Sequence, residues 1–272
     1  MKNYLFLILI PILFSCQDDI IDENPEGFTF SQGGGVFFDG HQYSSVVYGN
    51  GQEWMTENLK TAIFSNGDSL SRKDGNQWIQ VWIVGGPTYT IYNGDDESLS
   101  SYDSYGYLYN FEAVSDPRNI CPQGWHVPTL QEWESLVNYL GGSQIAGSIM
   151  TRRTPDYMNQ SDVFVWPGEA TCCPYGNESG FSALPTGKIV DNGEAYSGLR
   201  IDTFSYSMGW TLTPPYYQGE ISSQYDDASS QWWTSSTNIY GPMKTRIQWN
   251  LPEVFFENSN INSGGCIRCL MD

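Results

Sequence analysis

One stretch of this sequence carries a complete helix signature, and it stands nearly alone. Thr129 and Glu132 form a capping box: the Thr hydroxyl accepts from the amide three residues on, and the Glu carboxylate reaches back to the cap amide. Trp133, Leu136, Val137 and Leu140 then recur at i, i+3, i+4 and i+7, one apolar stripe at helical spacing. Gly141-Gly142 closes the helix, because glycine accepts the left-handed conformation that a helix end requires. A second, shorter helix is expected over residues 107–114, stopped at Asp116-Pro117. Elsewhere the apolar residues come in short runs bounded by Gly, Pro, Asn or Asp, as strands do: 36–38, 43–48, 78–84, 88–92, 163–166, 244–249 and 254–256. Two short helices, small antiparallel sheets and long loops make the fold class α+β. The longest connection, within 167–243, is rich in Gly, Ser, Tyr and Pro. Loops of that length are normally functional or strapped down.

The N-terminus sets the expected compartment. Lys2 precedes an apolar run over residues 4–14, which is shorter than the roughly 20 residues a membrane-spanning helix needs. Residues 1–15 therefore read as a signal peptide. Leu13-Phe14-Ser15-Cys16 resembles a bacterial lipobox, with Cys16 as the lipidated residue. The acidic cluster that follows, Asp18-Asp19 and then Asp22-Glu23, resembles the surface-export signal of Bacteroidetes lipoproteins. Residues 16–35, acidic and then Gly-rich, read as a flexible linker, and 36–272 as one domain. The expected location is the outer membrane, lipid-anchored, at the cell surface.

Charge removes whole classes of partner. With 12 Lys+Arg against 31 Asp+Glu, the formal net charge is −19 and no basic stretch exists. Phosphate neutralisation needs clustered Lys and Arg, so nucleic acid is excluded as a partner. The membrane is met through the lipid anchor alone. An extracellular glycan or protein is the expected ligand, and the aromatic residues are the candidates to hold it. Trp210, Tyr216, Tyr217, Tyr225, Trp232, Trp233 and Tyr240 crowd one region of sequence, and aromatic faces stack on sugar rings or on partner side chains.

Catalytic signals are sparse. His41 and His126 are the two histidines, and His126, in Gly-Trp-His-Val-Pro before the helix, reads as packed or hydrogen-bonded. Neither a Gly-x-Ser-x-Gly elbow nor a Gly-rich phosphate loop followed by Lys is present. Carboxylates abound, and a glycosidase needs only two at the right separation. The turns Asn93-Gly94-Asp95-Asp96-Glu97 and Asp191-Asn192-Gly193-Glu194 offer hard oxygen ligands for calcium, but read first as acidic turns. The Glu-Pro-Asn and Trp-Asn-Asp sugar motifs of calcium-dependent lectins are missing, so no cofactor is expected. Asp68-Ser69-Leu70 resembles the acceptor tripeptide of Bacteroidetes O-glycosylation, a short motif common by chance.

Seven ordered segments resemble one family. They are residues 51–59 (Gly-Gln-Glu-Trp-Met-Thr-Glu-Asn-Leu), 105–110 (Tyr-Gly-Tyr-Leu-Tyr-Asn), 121–128 (Cys-Pro-Gln-Gly-Trp-His-Val-Pro), Glu132-Trp133, 178–185 (Glu-Ser-Gly-Phe-Ser-Ala-Leu-Pro), 232–236 (Trp-Trp-Thr-Ser-Ser) and Ile267-Arg268-Cys269. Together they resemble the Fibrobacter succinogenes major paralogous domain. The resemblance implies a C-type-lectin-like fold related to the formylglycine-generating-enzyme core, and no established activity. Trp232 and Trp233 fall inside a family motif, which also makes them candidates for the core.

The cysteines follow from that reading. Lipidation takes Cys16 and leaves Cys121, Cys172, Cys173, Cys266 and Cys269, an odd number in an oxidising setting. The resemblance to lectin-like folds implies a Cys121–Cys269 disulfide. Cys172 or Cys173 could then bridge to Cys266, or pair with each other. Adjacent Cys172-Cys173 are awkward ligands for a tetrahedral zinc, so no metal is expected. The related formylglycine-generating enzymes hold copper with a late cysteine pair; Cys266 and Cys269 are the late pair here, spaced more closely than in that enzyme. Three readings result: a surface lipoprotein with a non-catalytic ligand-binding domain, a structural or adhesive envelope component, and an oxidase or glycosidase.

Overall fold

Hairpins dominate the described residues because the apolar runs are short and the turns are rich in glycine. A computed structural model describes residues 28–73, 77–78, 80–91, 105–152, 177–186, 229–248 and 251–272. In chain order the elements are β1 (Phe30–Gln32), β2 (Val36–Phe38), β3 (His41–Tyr43), β4 (Ser45–Tyr48), β5 (Glu53–Met55), β6 (Ser71–Arg72), α1 (Gln80–Val84), β7 (Thr88–Thr90) and β8 (Leu108–Tyr109). They continue with α2 (Phe111–Val114), β9 (Trp125–His126), α3 (Leu130–Tyr139), α4 (Ala146–Met150), β10 (Ser229–Asn238), β11 (Gly241–Gln248), β12 (Val254–Asn258) and β13 (Leu270–Met271). The fold is α+β. The main sheet has the order β1-β4-β5-β13-β9, a second has β10-β11-β12, and β6-β7-β8 and β2-β3 form two smaller ones. Among the described strands, pairing within the sheets is antiparallel except between β6 and β7, which run parallel, a departure from the all-antiparallel expectation. The β2–β3 hairpin turns on Asp39-Gly40, both at positive φ (46° and 76°), the pattern that matches strand twist in a two-residue turn.

The helix expected after Thr129 forms as α3. Thr129 accepts from the Glu132 amide and Glu132 bonds back to the Thr129 amide at 2.7 Å, the full capping box. Trp133, Leu136, Val137 and Leu140 are all buried. Burial alone would raise the Glu132 carboxyl. Hydrogen bonds from the Thr129 amide and hydroxyl, with the nearby His126, outweigh it and hold the group below its ordinary 4.5. A depressed carboxyl contributes stability above its unfolded pKa, and that stability is lost as pH falls through the folded value. The melting temperature of the wild-type chain is therefore expected to fall more steeply below about pH 4.5 than that of Glu132→Gln. Parallel melting curves down to pH 3 check this, and equal slopes would contradict it.

Other elements differ from expectation for identifiable reasons. The 78–84 run was expected to be a strand, but Gln80–Val84 is the helix α1, ended by Gly85 and Gly86 at positive φ. A short run that is apolar except for Gln80 has too little period to separate helix from strand. Here the Trp78 indole donates to the Asn262 carbonyl at 2.9 Å and anchors the segment before the helix. Residues 107–114 divide into β8 and the short α2, whose N-cap Asn110 accepts from Ala113. The 43–48 run divides at Ser44 into β3 and β4. Paired structure begins inside the expected linker, because Phe28 and Phe30 lie against Tyr139 and Tyr48 while β1 pairs with β4. The 163–166 run lies outside the described residues.

Two apolar clusters fill the interior. One gathers Trp54, Trp133, Phe181 and Trp232; the other gathers Tyr43, Phe64, Tyr109, Phe111, Trp233 and the disulfide. Trp232 and Trp233 are neighbours on β10, so their side chains point to opposite faces and one enters each cluster. Cys121 and Cys269 are bonded, with Cα atoms 5.9 Å apart and a sequence separation of 148. That pairing is the one the family resemblance implied.

Candidate functional site

The aromatic residues divide into a buried set and an exposed one. Trp232 and Trp233, offered above as ligand-binding candidates, are fully buried and belong to the core. The Trp232 indole donates to Asn58 Oδ1 at 2.7 Å, and the Trp233 indole to the Tyr109 carbonyl at 2.7 Å. Lys244 Nζ sits 3.9 Å from the Trp233 ring centroid and donates to Ser263 Oγ and the Gly264 carbonyl. Neither indole has a face left for a ligand.

Asn58 is the hub of a buried polar node that sequence reasoning missed. Its Oδ1 accepts from Arg268 Nε at 3.1 Å and Nη2 at 2.8 Å, as well as from Trp232, while its amide donates to the Tyr105 carbonyl. Arg268 Nη1 donates to the Phe181 carbonyl, and the guanidinium carbon lies 4.2 Å from the Phe181 ring centroid. Burial pulls this guanidinium down to about 10, which leaves it charged at neutral pH. Among the described residues no carboxylate pairs with it. The charge is held instead by carbonyl dipoles and ring faces. Asn58, Phe181, Trp232 and Arg268 come from four of the seven family-like segments, so those segments specify interior.

Both histidines are tied to carboxylates. His126 places Nδ1 2.7 Å from Asp272 and Nε2 3.1 Å from Glu132, and His41 meets Glu57 at 2.8 Å. Cys269 is committed to the disulfide, so a two-thiolate copper site with Cys266 would require that bond to break. Cys266 itself is buried. Ser69 is exposed and faces Ile63 across a single bridge. Among the described residues no cluster of three or more His, Cys, Asp and Glu is arranged to hold a metal, and no helix is long and apolar enough to cross a membrane.

Tyr240 is the one predicted ligand residue that the described structure leaves exposed. It forms the turn of the β10–β11 hairpin with Ile239, and the two are 79% and 90% exposed. The tip is held from behind. Asn238 Oδ1 accepts from the Tyr240 amide at 2.8 Å and from Asn258 Nδ2 at 2.7 Å, and Ser259 N donates to the Pro242 carbonyl at 2.9 Å. Gly241 takes a φ of 126°, which a side chain would strain. Ile239 was missed in the sequence, although Asn238 and Gly241 flank it as turn residues between two strands.

A few residues before the tip, β10 meets the N-terminal end of α3, where Ser235 N donates to the Pro128 carbonyl and Leu130 N to Ser236 Oγ. The far end of β10 is roughly 30 Å away at the rise of a strand. There Ser230 meets Thr186, and Thr151 bridges to Ala183. The described residues that flank segments 153–176 and 187–228 thus meet at the end of the scaffold opposite Tyr240. Trp210, Tyr216, Tyr217 and Tyr225 lie outside the described residues, as do Cys16, Cys172, Cys173 and the two acidic turns at 93–97 and 191–194.

Comparison with curated proteins and comparison with solved structures each found no match. Against protein families, residues 46–270 match the Fibrobacter succinogenes major domain (Fib_succ_major), a span that includes every segment of the buried node and most of the scaffold. The chain belongs to that family.

Proposed function

We propose that this protein is an outer-membrane surface lipoprotein whose non-catalytic domain, C-type-lectin-like in fold, binds an extracellular glycan or protein. One observation carries the reading: a rigid hairpin tip presents Ile239 and Tyr240 to solvent while the neighbouring tryptophans are spent on the core. A stable scaffold with exposed aromatic turns is the arrangement recognition uses, since the tip can vary without disturbing packing. Cys16 supplies the anchor, and Asp18 and Asp19 direct export to the surface. The direct test is a glycan array probed with the full chain, with and without calcium. Specific retention of at least one glycan supports the reading, and a blank array under both conditions counts against its glycan half.

Anchoring has its own expected result. Cys16→Ser is expected to release the protein from membranes or leave it unprocessed, as read by membrane fractionation and the mass of the mature N-terminus. Normal processing with unchanged membrane recovery would sink the lipoprotein assignment. Asp18→Ala with Asp19→Ala is expected to move the protein inward, so that protease shaving of intact cells no longer removes it.

A further inference from the structure

We infer that the β10–β11 hairpin tip is a stacking site for an uncharged, hydroxyl-rich ligand, a neutral polysaccharide, with Tyr240 as its platform. The inference rests on the ligand-binding reading above and assigns it a place and a chemical class. The first argument is charge. The chain carries a formal −19, yet residues 234–243 and 258–263, which form the tip and its support, contain no Asp, Glu, Lys or Arg. The charges on the same sheet are occupied: Arg246 pairs with Glu257 at 3.1 Å, Glu257 also accepts from Gln231, and the Lys244 ammonium is buried against Trp233. An anionic polymer would be repelled by the chain as a whole and would find no cation here. A neutral one meets neither penalty.

The second argument is the lining. Ser235, Thr237 and Tyr240 are exposed, and among the described residues their hydroxyls have no hydrogen-bond partner. Asn258 Oδ1 accepts one bond, from Asn238, and has a second lone pair for a sugar hydroxyl. Ile239 adds apolar surface beside the Tyr240 ring. Protein–protein interfaces are depleted in serine and cover about 800 Å² per partner, a poor match to two protruding side chains. Sugar rings need only one aromatic face and nearby donors and acceptors. The site is also preorganised, because the Asn238–Asn258 amide pair already fixes the turn, which lowers the ordering cost of binding.

Placement is the third argument. The N-terminal segment enters at the opposite end of α3, where Tyr139 Oη bonds both the amide and the carbonyl of Thr29. The hairpin meets the other end of α3, through Ser235 and Ser236 a few residues before the tip.

Affinity electrophoresis of the full chain through gels containing a neutral β-glucan, a neutral mannan or an alginate tests the inference. At least one neutral polymer is expected to retard the wild type, and alginate is not. Tyr240→Ala is expected to weaken retardation about tenfold or more, with an unchanged melting temperature, while Tyr240→Phe keeps the ring and most of the binding. Retardation by alginate alone overturns the inference. If neutral polymers retard the chain and Tyr240→Ala binds unchanged, this site falls while the ligand-binding reading stands. If no polysaccharide retards the chain but the glycan array or a cell-surface protein still captures it, the assigned class falls and the broader reading survives. Failure of all of these overturns both.

Discussion

Replacing Cys121 or Cys269 by alanine is expected to cost about 4–5 kcal/mol of stability. The bond joins positions 148 residues apart, and cross-links that close long loops remove the most entropy from the unfolded chain. Location adds to the cost. Cys269 immediately precedes β13, which lies between β5 and β9 in the main sheet and pairs with Trp54 on one side and His126 on the other. The Cys269 carbonyl also accepts from Met55 N at 3.1 Å. Freeing this strand opens the sheet at its middle rather than at an edge. Domains of this size hold about 5–15 kcal/mol in total, so either variant should sit near the limit of folding. Denaturant unfolding of wild type and both variants gives the difference directly. A loss below 1 kcal/mol, or peptide mapping that finds both thiols free, would contradict the staple.

The second large effect is expected from Trp232→Ala. Removing a buried indole from a core costs about 3–5 kcal/mol, through lost transfer energy and the cavity left behind. This indole also stands 5.8 Å from both Trp133 and Phe181, centroid to centroid, and donates to Asn58. Its loss leaves Arg268 with one ring face fewer and no carboxylate, in a medium where an unsupported charge is costly. Trp232→Phe keeps much of the packing and loses the indole N–H, so it should fall between wild type and Trp232→Ala. If Trp232→Ala instead unfolds at the wild-type midpoint, the node does not hold the core.

How much of this was legible in the sequence depended on the range of the interactions involved. α3 could be read in full because its cap, stripe and terminator all act within fourteen residues. α1 could not, since 78–84 carries a single polar residue, Gln80, too little to set a period, and Trp78 is positioned by Asn262, 184 residues away. β10 escaped as well. Its Ser- and Thr-rich end resembles a loop, and the register shift between Trp233 and Thr237 breaks the alternation that would have marked it. The Asn58–Arg268 contact spans 210 residues, and no local pattern encodes it. The family-like segments did contain it, in scattered pieces, and the four side chains they bring to the node are buried. Tyr240 lies outside those segments, which is why it can be exposed without cost to the fold. Ranking aromatics by their crowding in sequence mixed the two kinds.

The central claim is therefore a division of labour on one hairpin: Trp232 belongs to the core, and Tyr240, eight residues on in the turn, is proposed to meet the ligand. Thermal melting of Tyr240→Ala beside Trp232→Ala, with polysaccharide retardation measured on the same samples, tests it most directly. The expected result is a Tyr240→Ala chain that melts with the wild type and binds about tenfold or more weakly, next to a Trp232→Ala chain that melts far earlier. A Tyr240→Ala chain that melts early, or a Trp232→Ala chain that melts normally and has lost binding, would contradict it.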